Sequence, residues 1–185
     1  MRLWKCEAWD VLRSTEPVRL CVAGHVAKEF RAQGPAQRAA FLALGLEVCS
    51  VKLGSAAFVH LARLRGGRPS TRDLGEDESL AVALAAIDAG ERVPFVSYDH
   101  QAARRAGQEG IVTLDFLDSL AWLVGCGTIE AERADQIART AHRVDGWRPH
   151  PGYAGGIEIE RLARQSRMVE AVARWSTGEA VTWRR

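Results

Sequence analysis

The chain has 185 residues, 47% of them hydrophobic, and its 25 Lys plus Arg against 23 Asp plus Glu leave a net charge of +2. That length suits one ordinary folded domain and argues against two full ones, while the near balance of charge neither demands nor excludes a nucleic-acid partner. No apolar run reaches membrane-spanning length and the charged N-terminus is unlike a signal-peptide core, so a cytoplasmic protein with no membrane partner is expected.

In chain order, residues 2–14 read as an amphipathic helix with Leu3, Trp4, Ala8, Val11 and Leu12 on one face, ended with the help of Pro17. "VRLCVA", Val18 to Ala23, reads as a short buried strand, and "HVAKEF" turns into a helix carrying Glu29. Gly34 and Pro35 break the pattern before a helix from Ala36 to Leu44, and "LEVCSV", Leu46 to Val51, is a second strand. Ser55 is placed to cap a helix running to Leu64, after which Arg65 to Asp73 is a polar Gly/Pro loop.

"LGEDESLAVALA", Leu74 to Ala85, reads as a buried helix because Leu80, Leu84 and Ile87 recur at helical spacing among small Ala residues. Glu78 falls near its start; Glu76 and Asp77 compete with it for the same role, and the favoured reading makes them solvated neighbours. The third strand, Val93 to Tyr98, is followed at its end by Asp99, and "HQAARRAGQEG" forms a short helix closed by Gly107 or Gly110. Ile111 to Leu114 is a fourth short strand. Helices follow from Asp115 to Val124 and from Thr128 to Arg143, the latter with Thr128 as N-cap. After the Gly/Pro-rich stretch from Gly146 to Gly156, Ile157 to Trp175 reads as a helix and Glu179 to Trp183 as a terminal strand.

This alternation of strands and helices predicts an α/β fold with a parallel sheet. In such sheets ligands bind beyond the carboxyl ends of the strands. An acid at a strand end, Asp99, facing an acid on a neighbouring helix, Glu78, therefore suggests a site for a hard cation, Mg²⁺ or Mn²⁺. Each acid has a plainer reading, with Glu78 complementing a helix dipole, Asp99 serving only as an N-cap, and Glu29 as a solvated helix residue. The four cysteines, Cys6, Cys21, Cys49 and Cys126, show no C-x-x-C spacing, which argues against a zinc ribbon or a thioredoxin-like motif and leaves them as buried reduced thiols. The five histidines show no metal-binding spacing, and neither a Walker A loop nor a dinucleotide fingerprint is present.

Three segments taken together resemble the PIN domains, and within them the toxin ribonucleases of toxin–antitoxin pairs. "VRLCVAGHVAKEF" is similar to the family's second strand and following helix with its acid, here Glu29. "LGEDESLAVALA" is similar to the segment L-G-x-G-E-x-x-A, with Glu78 as the acid, and "VSYDHQAARRAGQEGI" to the strand end bearing Ser97 and Asp99 before an arginine-bearing helix. The resemblance covers roughly Leu3 to Arg143, giving a PIN-like domain over residues 1–143 and a C-terminal helical extension over 144–185. It implies a three-layer fold with a central parallel sheet flanked by helices. It also implies a metal-dependent ribonuclease in which Glu29, Glu78 and Asp99 are catalytic metal ligands for Mg²⁺ or Mn²⁺. Ser97 would hold an inner-shell water, and Arg65, Arg68, Arg104 and Arg105 would contact the RNA backbone. A small cognate antitoxin would be a partner, and dimers are common in the family.

One element of the family is missing from the pattern. Its first strand ends in an Asp followed by Thr or Ser directly before a helix, and no such strand precedes Leu3; Asp10 lies inside a helical pattern and does not take that role. Three explanations are open. The true start lies upstream, which is the favoured expectation; a partner supplies the strand; or Glu179 to Trp183 folds into the gap. If the acid is truly lost, the resemblance implies instead a catalytically inactive module that binds RNA or a protein.

Overall fold

The computed structural model describes residues 21–32, 34, 35, 38, 39, 42, 45–67, 73–97, 99–125 and 129–145. The helix expected over residues 2–14, the one over Ile157 to Trp175, the strand from Glu179 to Trp183, the residues Arg68 and Thr128, and most of the Ala36 to Leu44 helix lie outside them. So does the extension from 146 on.

Within the described residues the fold is mixed α/β and mostly helical. In chain order the elements are β1 (Cys21–Ala23), α1 (Gly24–Ala32), β2 (Glu47–Cys49), α2 (Ala56–Arg65), α3 (Leu74–Asp88), β3 (Phe95–Val96), α4 (His100–Gln108), β4 (Thr113–Leu114), α5 (Phe116–Gly125) and α6 (Ala131–Asp145). β2, β3 and β4 are shorter than the sequence suggests, and the strands form two pairs, β1 with β2 and β3 with β4. β1 and β2 run parallel in the register Cys21 to Glu47, Val22 to Val48 and Ala23 to Cys49. No described helix is long and apolar enough to cross a membrane.

The contacts divide the chain into two compact units. Of the described residues, the first holds 21–95 and 99–113. Its core is the apolar side of α3, Leu80, Ala83 and Leu84, packed with Ala106 of α4 and Ile111, and flanked by Leu64, Val93 and Phe95. The caps explain where its helices begin and end. Ser55 accepts the N–H of Phe58 at the start of α2, as the sequence leads one to expect. The same helix ends on Gly66, whose left-handed φ of 52° lets its N–H return to the carbonyls of Ala62 and Arg63. Close approach of α1 to α3 depends on Gly75: a Cβ there would stand 3.1 Å from Val26 Cγ2 and 3.4 Å from Glu29 Oε1.

The second unit holds residues 96, 97 and 114–145 among those described. Phe116, Leu117 and Leu120 of α5 bury against Ala134, Ile137 and Ala138 of α6, with Val124 and Ile129 alongside. α5 starts on a reciprocal cap in which the Asp118 N–H donates to Asp115 Oδ1 at 2.9 Å and the Asp115 N–H to Asp118 Oδ2 at 3.2 Å.

The cysteines correct one expectation. Cys21 is exposed and Cys49 only half-buried, and neither forms a disulfide. They sit on a short strand pair of which Ala23 alone is buried; Cys6 and Cys126 lie outside the described residues.

Candidate functional site

The first two turns of α3 carry three consecutive acids, Glu76, Asp77 and Glu78. Successive residues on a helix point about 100° apart, so three acids in a row must face three environments.

Asp77 faces inward and is 1% exposed. It shares a helix stripe with Leu80, Ala81 and Leu84, all buried. Two arginines neutralise it. Arg65 Nη1, from the last turn of α2, donates to Asp77 Oδ2 at 3.0 Å, and Arg105 Nη2, from α4, donates to Asp77 Oδ1. The solvated role expected for Asp77 is thus overturned: its place on the apolar stripe buries it, and a buried carboxylate persists only when paired.

Glu78 turns toward α1. Its Oε2 accepts the backbone N–H of His25 at 2.6 Å and lies 3.8 Å from His25 Nδ1. His25 is the second residue of α1, where helix N–H groups have no carbonyl partner inside the helix, so the carboxylate meets both a donor and the positive end of the dipole. Glu29, exposed on the same helix, reaches the first turn of α3 beside Gly75.

Glu76 takes the third direction. Its Oε2 is 3.8 Å from Arg105 Nη1. Burial, and then the charges of Asp99 and Asp73, raise its carboxyl above the usual range, with Arg105 pulling the other way. Asp99 is the N-cap of α4, its Oδ1 accepting the N–H groups of Gln101 at 2.7 Å and Ala102 at 3.2 Å.

The structure thus places Glu29 and Glu78 around the start of α3 and Asp99 at the start of α4. Ligand atoms of the three do not converge: among the described residues the one group of His, Cys, Asp or Glu whose ligand atoms all lie within 4.8 Å is Cys21, Glu47 and Cys49. Arg65 and Arg105 turn toward Asp77, Arg104 is exposed, and Arg68 is not described. Ser97 belongs to the second unit, half-buried, with its N–H on the Leu114 carbonyl at 3.1 Å.

Sequence reasoning missed Asp77 as the centre of the cluster. The signal was present, since 77, 80, 81 and 84 fall at the i, i+3, i+4 and i+7 positions of one face. No family model, no curated protein and no solved structure matches the chain.

Proposed function

We propose that this chain is a PIN-like module, three-layered in the manner of that family, which binds RNA without hydrolysing it. The carrying observation is Asp77, held on both oxygens by the guanidinium groups of Arg65 and Arg105. Those two cations bring to the cluster the positive charge that a divalent ion would otherwise supply, and their own charge repels one. Glu78 and Asp99 are likewise engaged with backbone N–H groups at two helix starts. The residues present therefore do not fit a Mg²⁺ or Mn²⁺ centre well.

Arg104, exposed on α4, and the outer parts of Arg65 and Arg105 would meet RNA phosphates, where arginine contributes charge-assisted hydrogen bonds.

One observation favours the active alternative, a metal-dependent ribonuclease controlled by an antitoxin. Glu76 is crowded by Asp99 and Asp73, and crowding of carboxylates is what a bound cation relieves. In that reading Glu29, Glu78 and Asp99 would hold the ion.

Incubating the full chain with labelled RNA, with and without Mg²⁺ or Mn²⁺, separates the two. Retention of intact RNA, unaffected by a chelator and weakened by Arg104→Ala, is the expected result. Metal-dependent cleavage abolished by Asp99→Asn would overturn it in favour of the ribonuclease.

A further inference from the structure

The parallel register of β1 and β2 sets Cys21 directly opposite Glu47, with Cys49 two residues further along the same strand. Side chains two apart on a strand share a face, and directly paired residues share it too, so the three side chains project from one side of the strand pair. Their contacts agree with that placement. Cys21 Sγ lies 4.0 Å from Glu47 Oε2, Cys49 Sγ lies 4.0 Å from Glu47 Oε1, and all the ligand atoms fall within 4.8 Å of one another.

We propose that Cys21, Cys49 and Glu47 form a binding site for Zn²⁺. Two sulfurs and one carboxylate are a soft-to-borderline donor set, which selects zinc and disfavours Mg²⁺, Mn²⁺ and Ca²⁺. Tetrahedral zinc with bonds of about 2.3 Å to sulfur and 2.0 Å to oxygen holds its sulfur and oxygen ligands about 3.5 Å apart. One oxygen of Glu47 and the two sulfurs all lie within 4.8 Å of one another, so closing on the ion requires contractions of up to about 1.3 Å, within reach of χ rotations of two cysteines and a glutamate. Both thiols give up their protons to solvent as the metal binds, and Glu47 enters as the carboxylate, so the three ligands carry three negative charges against two on the ion. Three protein ligands leave a fourth position to water, and the exposure of Cys21 and Glu47 gives that position access to solvent.

The site is separate from the charged cluster at α3 in its residues and its chemistry, and it stands whether or not the RNA-binding reading does. It also differs from a sequence-coded zinc motif. Its two cysteines come from different strands and meet only through the register, so no C-x-x-C spacing announces them.

The test is zinc titration of the reduced full chain against a chromophoric chelator, with Co²⁺ as a spectroscopic probe. The expected result is one zinc per chain, the sulfur-to-metal charge transfer and d–d bands of tetrahedral cobalt, and no competition from excess Mg²⁺. Cys21→Ser and Cys49→Ser each weaken zinc binding by more than about 100-fold, and Glu47→Gln by about 10-fold or more. The paired variant Cys6→Ser with Cys126→Ser binds as the parent does. Serine is nearly isosteric with cysteine, and circular dichroism of each variant confirms that the fold is retained. Zinc binding unchanged in Cys21→Ser with Cys49→Ser, zinc binding lost with Cys6 and Cys126, or no zinc retained by the folded parent against the chelator overturns the proposal.

Discussion

Arg65 Nη1 stands 3.0 Å from Asp77 Oδ2, bridging the end of α2 and the start of α3 at a position where the carboxylate is 1% exposed. The pairing is stronger evidence about the cluster than any of the exposed acids, because a buried charge must be answered locally.

Asp77→Ala therefore strands two guanidiniums in a half-buried environment. Losing one partner of a buried pair costs about 3–5 kcal/mol, and urea denaturation should show a loss of that size. Replacing all three groups with apolar ones, Asp77→Leu with Arg65→Met and Arg105→Met, should recover a large part of it. If Asp77→Ala and the triple variant lose equal stability, packing rather than charge explains the position.

Asp99 acts on α4 through its carboxylate oxygen, which accepts from Gln101 and Ala102. Asn caps about as well as Asp, whereas Ala costs about 1 kcal/mol at an N-cap. Thermal unfolding should show Asp99→Asn within a few tenths of a kcal/mol of the parent and Asp99→Ala lower by about 1 kcal/mol. This near-neutrality is what makes Asp99→Asn a clean variant for the RNA cleavage assay.

Glu78→Ala removes the acceptor for the His25 N–H and leaves a half-buried donor unanswered, a loss of about 1–3 kcal/mol. Glu78→Gln keeps an oxygen acceptor and gives up only the charge at the helix start, a loss of about 0.3–1 kcal/mol. Amide hydrogen exchange at His25 is the direct readout: it should quicken clearly in Glu78→Ala and much less in Glu78→Gln.

Glu76 titrates above its ordinary value because burial and the neighbouring Asp99 and Asp73 disfavour its charge. The folded state then holds its proton more tightly than the unfolded state does. Between the ordinary and the raised value, stability falls as pH rises, and the penalty is complete above the raised value. Glu76→Gln, which cannot ionise, should unfold at a higher temperature than the parent at neutral pH, with the difference closing below the ordinary glutamate range. A difference that persists unchanged into acid would show that the substitution acts through packing.

Several described helices were legible in the sequence from a periodic face or a cap. Ser55, Asp99 and the spacing of Leu80 and Leu84 gave α2, α4 and α3 within a few residues of where they lie, whereas Ile87, expected on the same buried face of α3, is exposed. Strands were less so: the apolar runs Val93 to Tyr98 and Ile111 to Leu114 pair over only two residues each, since pairing depends on neighbours that a single run does not contain. Asp77 was hidden for a different reason. Three acids in a helix's first turns look alike by composition, and only the direction of each around the axis separates the one that enters the core. The Cys21, Glu47 and Cys49 group was not legible at all, because strand register is a tertiary property.

One carboxylate, Asp77, joins three successive helices, α2 through Arg65, α3 through itself and α4 through Arg105. Any one of these positions changed alone leaves charge without an answer, while a coordinated exchange to apolar residues can be tolerated. For the divergence of this protein the three positions therefore behave as a single heritable character: lineages descended from a common ancestor should either keep all three residues or have replaced them together, with single replacements rare.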